Sequence, residues 1–169
     1  MKYLEEDVLA AKSIKADVVC AFNFSYFIFK NRPKLLQYFK SVRQGLNKQG
    51  VFFIDLFGGP LSQKLVTDRK KMKNLTYYWE CQHFNPITAE CTFAIHFKDK
   101  TKKYNNVFTY DWRLWTMPEL VELMQEAGFS RVMTYWEGDD DEGGGNGEFT
   151  PMTVAENCEA WVAYIAACV

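Results

Sequence analysis

The sequence predicts an α/β fold built as a single domain over residues 1–169. Continuous apolar runs, typical of strands buried on both faces of a mostly parallel sheet, are joined by a segment of helical periodicity. The middle of the chain then changes to aromatic-rich segments in which apolar and polar residues alternate, as in an antiparallel insertion. Hydrophobic residues make up 48% of the chain, which is enough for a core.

The first predicted unit is a strand, a helix and a second strand. The run ADVVCAF (16–22) is continuously apolar, and VFFIDLF (51–57) repeats this pattern. Between them, residues 31–50 have a helical apolar stripe, with Asn31 as the N-cap and Gly50 as the stop. The connections are short, so we expect a βαβ unit whose strands are parallel neighbours with a right-handed crossover.

The centre of the chain predicts an antiparallel insertion at about residues 75–115. Turn sequences separate its aromatic-rich segments, which are LTYYWECQHF (75–84), AECTFAIHFK (89–98) and VFTYDWRLW (107–115). The alternation indicates a meander added to the α/β body.

The last third of the chain returns to the α/β pattern. TMPELVELMQEAGF (116–129) predicts a helix that begins with a capping box between Thr116 and Glu119. Residues 131–137 and 158–169 predict the last two strands. The stretch between them, residues 138–151, is acidic and glycine-rich and predicts a mobile surface loop.

Composition narrows the class of protein. A net charge of −1 does not favour binding to nucleic acid or to an anionic membrane. No apolar run is long enough to span a bilayer, and the first residues are too charged for a signal peptide. The five cysteines form no CxxC pair, which indicates reduced thiols and a cytoplasmic protein.

Polar side chains follow both predicted parallel strands. Asn23, Ser25 and Tyr26 come after the first strand, and Asp55 ends the second. Ligands of open α/β sheets bind at the carboxyl ends of the strands, so these residues lie where a site is expected. Alternatively, Asn23 and Ser25 cap the next helix and Asp55 binds local amides. Spacing alone leaves both interpretations open.

The insertion contributes further candidates and no metal site. His83 and His96 lie on its strands, where a lone histidine is more often an ordinary surface or core residue. Cys91 and His96 are five residues apart and point to opposite faces of a regular strand, which disfavours zinc. Three tryptophans could cage a cationic or flat ligand, namely Trp79, Trp112 and Trp115. Core packing is the better interpretation of their positions.

The order of these motifs resembles the C-terminal part of class I S-adenosylmethionine-dependent methyltransferases, over nearly the whole chain. The stretches that carry the resemblance are EEDVL (5–9), KQGVFFIDLF (48–57) and ELVELMQEAGF (119–129). It implies a partial doubly wound (Rossmann-like) sheet with the aromatic meander as a lid. It also implies methyl transfer from S-adenosylmethionine to a small acceptor. The alternative is a catalytically silent remnant that acts as an interaction or structural module.

The resemblance also assigns roles to residues. Asp7 and the backbone amide of Val8 would bind the adenine ring, and Phe22 and Asn23 would line the methionine side of the cofactor. The residues implied on the acceptor side are Tyr26, Asp55, His83 and Trp112. No catalytic base is assigned.

This sequence departs from the family pattern at the cofactor motifs. The family's glycine-rich turn after its first strand, and the acidic residue that ends its second, have no counterpart, because residues 2–9 match the third strand. GGGNG (143–147) follows an acidic run and no buried strand, so it is no replacement. We therefore expect a truncated domain that binds S-adenosylmethionine weakly or not at all and is inactive on its own.

The family strand order 3-2-1-4-5-7-6 has a consequence for assembly. The strand at 16–22 corresponds to the fourth, whose neighbour on one side would be the first. We therefore expect an open strand edge and a homo-oligomer formed through it. Residues 4–14 are rich in helix formers and are expected to leave the family position as a helix.

Overall fold

The computed structural model describes residues 3–10, 15–140 and 144–169. Its longer elements, in chain order, are β1 Ala16–Ala21, α1 Arg32–Gly45, β2 Leu46–Gly58, β3 Thr67–Lys71, β4 Thr76–Phe84, β5 Glu90–Lys98, β6 Lys103–Arg113, α2 Met117–Glu126, β7 Arg131–Asp139, β8 Gly145–Pro151 and β9 Trp161–Cys168. Short 3₁₀ turns occupy Ser25–Ile28 and Pro60–Gln63.

Five strands form the main sheet, in the order β1-β2-β9-β7-β8. β1 and β2 are parallel, with Val18 opposite Val51, and β9 lies antiparallel between β2 and β7. This confirms the predicted βαβ unit. The neighbouring strands β1, β2, β9 and β7 correspond to strands 4, 5, 7 and 6 of the family order that the resemblance implied. The predicted α/β fold with a partial doubly wound sheet is therefore confirmed.

Four antiparallel strands form the second sheet, in the order β3-β4-β5-β6. The last three are the predicted meander, which confirms the insertion. β3 was not predicted because its residues, TDRKK, are all exposed and show no apolar alternation. Its hairpin with β4 is closed by a backbone bond from the Met72 amide to the Leu75 carbonyl, 2.8 Å long.

Both helices pack on one face of the main sheet. The Asn31 side chain accepts a hydrogen bond from the Lys34 amide at 3.0 Å, which confirms the predicted N-cap of α1. The ring of Phe52 on β2 contacts Phe39 of α1 and stacks on Phe129 after α2, with centroids 5.8 and 6.1 Å apart. Burial of each such ring stabilises the fold by about 1.5–3 kcal/mol.

The end of α1 differs from the prediction. The helix stops at Gly45 rather than Gly50, because Leu46 turns extended (φ −86°, ψ 148°) and is buried in the core, opposite Ala16 of β1. The register between β1 and β2 then shifts before Val51. Gly50 fits this tight irregularity, since a Cβ there would lie 2.9 Å from the Leu46 Cβ.

The prediction of a mobile loop over residues 138–151 is wrong for its second half. β8 pairs with β7 there, and residues 141–143 lie outside the described residues. The Gly147 amide donates to the Glu137 carboxylate at 2.9 Å, and the Phe149 ring contacts Tyr164 edge-on at 4.6 Å. β8 was missed because its mostly exposed residues lack alternation, and pairing with β7 orders it.

The predicted helix over residues 4–14 is absent from residues 4–10, and residues 11–14 lie outside the described residues. Asp7 forms a turn instead, in which its carboxylate accepts from the Leu9 amide at 2.8 Å and its carbonyl accepts from the Ala10 amide at 2.9 Å. Such local bonding from an aspartate competes with helix formation.

Candidate functional site

A cavity of about 650 Å³ lies between the two sheets, at the carboxyl end of β2. The turn after β1, the second sheet and the start of β9 also contribute to its wall. Its aromatic lining consists of Phe24, Phe57, Tyr77, Trp79, Phe93 and Trp161. This volume lies within the range of small-molecule sites, about 300–1,000 Å³.

The alternation of the meander explains the aromatic wall. Tyr77 and Trp79 are two residues apart on β4, so both point to the same face of the sheet. Trp79 stacks on Phe93 with centroids 4.9 Å apart, and Phe93 meets Phe57 of the main sheet edge-on at 5.6 Å. The apolar face of the second sheet therefore packs on the main sheet and lines the cavity.

Gly58 makes room for the opposite wall. It pairs with Trp161 on β9, and a Cβ at Gly58 would lie 2.3 Å from the indole ring. Trp161 also contacts Trp136 of β7, with centroids 4.8 Å apart. Sequence reasoning did not identify Trp161 as a site residue. The only signal was the glycine pair that follows a buried strand.

Charged residues surround the apolar wall. Asp68, Arg69 and Lys70 come from β3, and Glu137 comes from β7. The carboxylate of Glu137 also holds β8 through the Gly147 amide. The cavity thus combines an aromatic wall with groups of both charge signs.

The turn after β1 is held by Asp55. Asn23 and Phe24 both have left-handed backbone conformations, with φ of 57° and 54°, which are uncommon for residues other than glycine. Their amides donate to the two carboxylate oxygens of Asp55 at 2.7 and 2.9 Å. Asp55 therefore binds local amides, the second interpretation of its position, and the turn directs Phe24 into the cavity wall.

Tyr26 also stabilises this turn, through a hydrogen bond from its hydroxyl group. Its hydroxyl donates to the Asp55 carbonyl at 2.8 Å, and the side chain is only 1% exposed. Burial raises the pKa of Tyr26 well above its usual value. Burial also raises the pKa of Asp55, although the amides of Phe24 and Asn23 oppose this effect. The structure thus brings Asn23, Tyr26 and Asp55 together beside the cavity, and none of these three side chains lines it.

The other predicted acceptor-side residues lie apart from this turn or within the core. His83 is exposed on β4. Trp112 is 3% exposed and packs edge-on against Phe27 and Phe24, with centroids 5.7 and 6.2 Å away. Trp112 therefore has the core position that the sequence analysis favoured for the tryptophans.

The predicted cofactor residues are exposed. Phe22 is 45% exposed on the main sheet, where it contacts Tyr164. Val8 is 50% exposed, and Asp7 binds the Leu9 amide in its own turn. The amides at the end of β1 are likewise bound to Asp55. In the described parts of the chain, these groups do not by themselves form a complete cradle for S-adenosylmethionine.

His96 has a structural role within the second sheet. It is 4% exposed, and its Nδ1 accepts from the Asn106 amide at 2.8 Å, so the proton lies on Nε2, which faces the Glu80 carboxylate at 2.9 Å. The register of β5 and β6 shifts at this point. Across residues 3–10, 15–140 and 144–169, no group of three His, Cys, Asp or Glu side chains could hold a metal ion.

Comparison with known proteins gives structural matches alone. No family model and no curated protein matches the chain. It is similar to an S-adenosylmethionine-dependent methyltransferase from Clostridium acetobutylicum, at 16% identity and a TM-score of 0.65, over 96% of this chain and 62% of that one. The CcbJ methyltransferase from Streptomyces caelestis matches at 14% identity and a TM-score of 0.63, over 97% and 62%.

A third match extends this set. An amino pentose methyltransferase from Micromonospora echinaspora matches at 12% identity and a TM-score of 0.60, over 97% of this chain and 63% of that one. The chain thus spans less than two thirds of the length of these structures. None of the described helices is long and apolar enough to cross a membrane. The protein has the fold of the class I S-adenosylmethionine-dependent methyltransferases.

Proposed function

We propose that this chain contributes the acceptor-binding part of an enzyme that transfers a methyl group from S-adenosylmethionine. The observation that carries the proposal is the aromatic cavity at the carboxyl end of β2, beside the turn after β1. Ligands of open α/β sheets bind at this end. The second sheet covers the cavity, in keeping with its expected role as a lid.

The acceptor that fits this cavity is a small molecule with an apolar or flat body. Trp79 and Phe57 offer broad apolar surfaces, and Glu137 and Arg69 offer charges of both signs. Amino sugars are the first candidates to test, because an amino pentose methyltransferase and a sugar N-methyltransferase share the fold. The chain's own contribution would be to orient the acceptor and exclude water, which can supply much of the rate of a methyl transfer.

The cofactor would bind at the carboxyl end of β1. Phe22 and Asn23 lie at the carboxyl end of β1, where the methionine part would bind, and Asp7 and Val8 are proposed for the adenine ring. The described residues leave few free donors there, since Asp55 binds the amides of the turn.

Calorimetry with a panel of amino sugars and flat aromatic amines tests the acceptor site. We expect one class to bind the wild type and to bind Trp79→Leu at least about tenfold more weakly, a loss of about 1.4 kcal/mol. Tyr104→Leu is the matched control, since Tyr104 is 40% exposed on β6 and does not line the cavity. Equal affinities for both variants, or binding by no member of the panel, would contradict the proposal.

A second candidate function is a non-catalytic interaction module of cytoplasmic location. The internal bonding of the Asn23 and Phe24 amides to Asp55 favours it, because those donors are not offered to a ligand. Transfer of a radiolabelled methyl group from S-adenosylmethionine to a bound panel member separates the two functions. Any transfer would exclude the interaction module, whereas binding by no member of the panel would favour it.

A further inference from the structure

One end of the second sheet is rich in lysine. Its strands are paired there in a single row, in which Lys71, Thr76, Lys98 and Lys103 stand side by side. The connection from β3 to β4 and the connection from β5 to β6 therefore lie next to each other, beyond this row. We name residues 71–73 and 98–103 the basic tip, and its lysines are Lys71, Lys73, Lys98, Lys100, Lys102 and Lys103.

The positive charge of the chain is concentrated at the basic tip. The tip contains six lysines and one acidic residue, which gives it a net charge of +5. Since the whole chain has a net charge of −1, the remainder carries −6. The net charge, which as an average does not favour an anionic partner, thus hides a strongly uneven distribution. A molecule with this asymmetry turns its positive end towards an anionic surface.

The six lysines are all exposed and available to a partner. Within the described parts of the chain, none of them forms an ion pair with a carboxylate. Lys102 lies over the Tyr104 ring at 4.4 Å, and Lys103 lies over the Tyr78 ring at 4.9 Å. These contacts position two of the ammonium groups and leave their charge in place.

Asp99, the acidic residue of the basic tip, is bound within its own connection. One carboxylate oxygen accepts from the Thr101 and Lys102 amides at 2.7 and 2.9 Å. The other accepts from the Tyr104 hydroxyl at 3.0 Å. Asp99 therefore shapes the connection from β5 to β6 and binds no lysine side chain of the tip.

The basic tip also presents an exposed apolar side chain. Met72 lies between Lys71 and Lys73 in the connection from β3 to β4, and it is 57% exposed. An apolar side chain flanked by lysines suits the boundary between lipid headgroups and acyl chains, where apolar burial and attraction to anionic lipids act together.

We propose that the basic tip docks this protein on a membrane surface that carries anionic lipid headgroups. The inference rests on the charge distribution and does not depend on the proposed function. None of the six lysines lines the cavity between the sheets, so the contact is separate from the candidate site. Clusters of about four to eight basic residues bind such surfaces, and the attraction is limited to about 8 Å at physiological salt.

Nucleic acid fits the basic tip less well than a bilayer does. Proteins that bind single strands combine a basic groove with free aromatic rings on which the bases stack. The basic tip is the end of a sheet with two adjacent connections, and the rings of Tyr78 and Tyr104 each have a lysine over one face. A planar anionic surface needs neither a groove nor a free ring.

Co-sedimentation of the full chain with lipid vesicles tests the proposal. We expect binding to vesicles of phosphatidylcholine mixed with phosphatidylserine and not to phosphatidylcholine alone, and added salt should weaken it. Reversal of three charges of the tip row should weaken binding at least about tenfold. This variant carries Lys71→Glu, Lys98→Glu and Lys103→Glu. The matched control makes the same change at three exposed lysines outside the tip, Lys34, Lys40 and Lys48, and should lose less than about threefold.

Met72→Ser separates a bilayer from other polyanions, because it leaves the charge unchanged. It should weaken vesicle binding at least about threefold. Ile87→Ser is its control and should have no effect, since Ile87 is 93% exposed in the connection at the opposite end of the sheet. Melting curves check that every variant folds. Lys73→Glu with Lys100→Glu, both in the connections, repeats the charge test if the triple variant does not fold.

Three results would overturn the proposal. The first is a wild type that does not bind the anionic vesicles at low salt, as expected if the partner is an acidic protein. The second is equal weakening by the tip variant and its control, because binding would then follow the net charge alone. The third is tighter binding to a single-stranded oligonucleotide than to the vesicles, with no effect of Met72→Ser, which would make the tip a nucleic-acid surface.

Discussion

Asp55 uses both carboxylate oxygens to hold the turn that follows β1. The turn places two consecutive residues, Asn23 and Phe24, in the left-handed region, where a residue with a side chain is strained. Hydrogen bonds between amides and a charged acceptor contribute about 1.5–3 kcal/mol each. One side chain therefore compensates for the strain and sets the position of Phe24 in the cavity wall.

Asp55→Ala should lower the free energy of unfolding by about 2 kcal/mol or more at pH 7, because two amides lose their acceptor. Asp17→Ala is the control, since Asp17 is exposed on β1 and accepts a single bond from Asn47. It should cost less than about 1 kcal/mol. Urea unfolding measures both values, and equal losses would contradict the role given to Asp55.

The cost of Asp55→Ala should also depend on pH. Burial raises the pKa of Asp55 above its unfolded value, so the folded protein holds this proton more tightly than the unfolded chain does. The stability contributed by the group is then greatest below the unfolded pKa, about 3.9, and falls as the pH rises through the folded pKa. We expect the variant to lose more relative to wild type near pH 4 than at pH 7.

At the level of elements, α2 depends on one glutamate at its start. Glu119 accepts from the Thr116 amide at 2.8 Å in the capping box and from the Arg113 guanidinium at 3.0 Å. Arg113 also lies over the Trp115 ring at 3.8 Å. Glu119 therefore joins α2 to the end of β6 and closes the helix N-terminus.

Glu119→Ala should destabilise the protein by about 1–2 kcal/mol, since it removes half of the capping box and an ion pair. Glu122→Ala is the matched control, because Glu122 is an exposed glutamate on the same helix. Its expected effect is within about 0.5 kcal/mol. Thermal unfolding followed by circular dichroism compares the variants, and similar midpoints would count against the capping role.

The elements that sequence predicted well are those whose signals are local. The capping box at Thr116 and the positive φ of Gly128, 97°, follow from neighbouring residues. The end of α1 depends instead on the burial of Leu46 beside β1, which is about thirty residues away. β3 and β8 are held by pairing with their neighbours and not by apolar alternation, so their sequences indicate no strand.

At the scale of the whole molecule, the sequence indicated which strand ends lie together but not the cavity beside them. Asn23, Tyr26 and Asp55 follow strands, and strand ends of an α/β sheet meet at one edge. The cavity wall joins Phe24, Trp79 and Trp161, which are far apart in the sequence. Their meeting depends on how the second sheet packs on the first, and no local pattern records that packing.

The sequence predicts that the chain binds S-adenosylmethionine weakly, and this prediction depends on contacts from several parts of the chain. The resemblance requires a glycine-rich turn and an acidic strand end that have no counterpart in this sequence. In the described residues, the Asn23 and Phe24 amides are bound to Asp55, and Asp7 binds the Leu9 amide. Each charge-assisted hydrogen bond to the cofactor that the chain cannot supply lowers the binding free energy by about 1.5–3 kcal/mol. Several such missing bonds lower the affinity by orders of magnitude.

Calorimetric titration of S-adenosylmethionine into the chain should therefore show no saturation below about 1 mM. A methyltransferase of known affinity serves as the positive control, and a melting curve shows that the chain is folded during the titration. Micromolar binding would contradict this prediction. If such binding were lost in Asp7→Ala and kept in Asp17→Ala, Asp7 would contact the adenine ring as the resemblance implies. The remaining contacts would then come from groups other than the amides that Asp55 and Asp7 already bind.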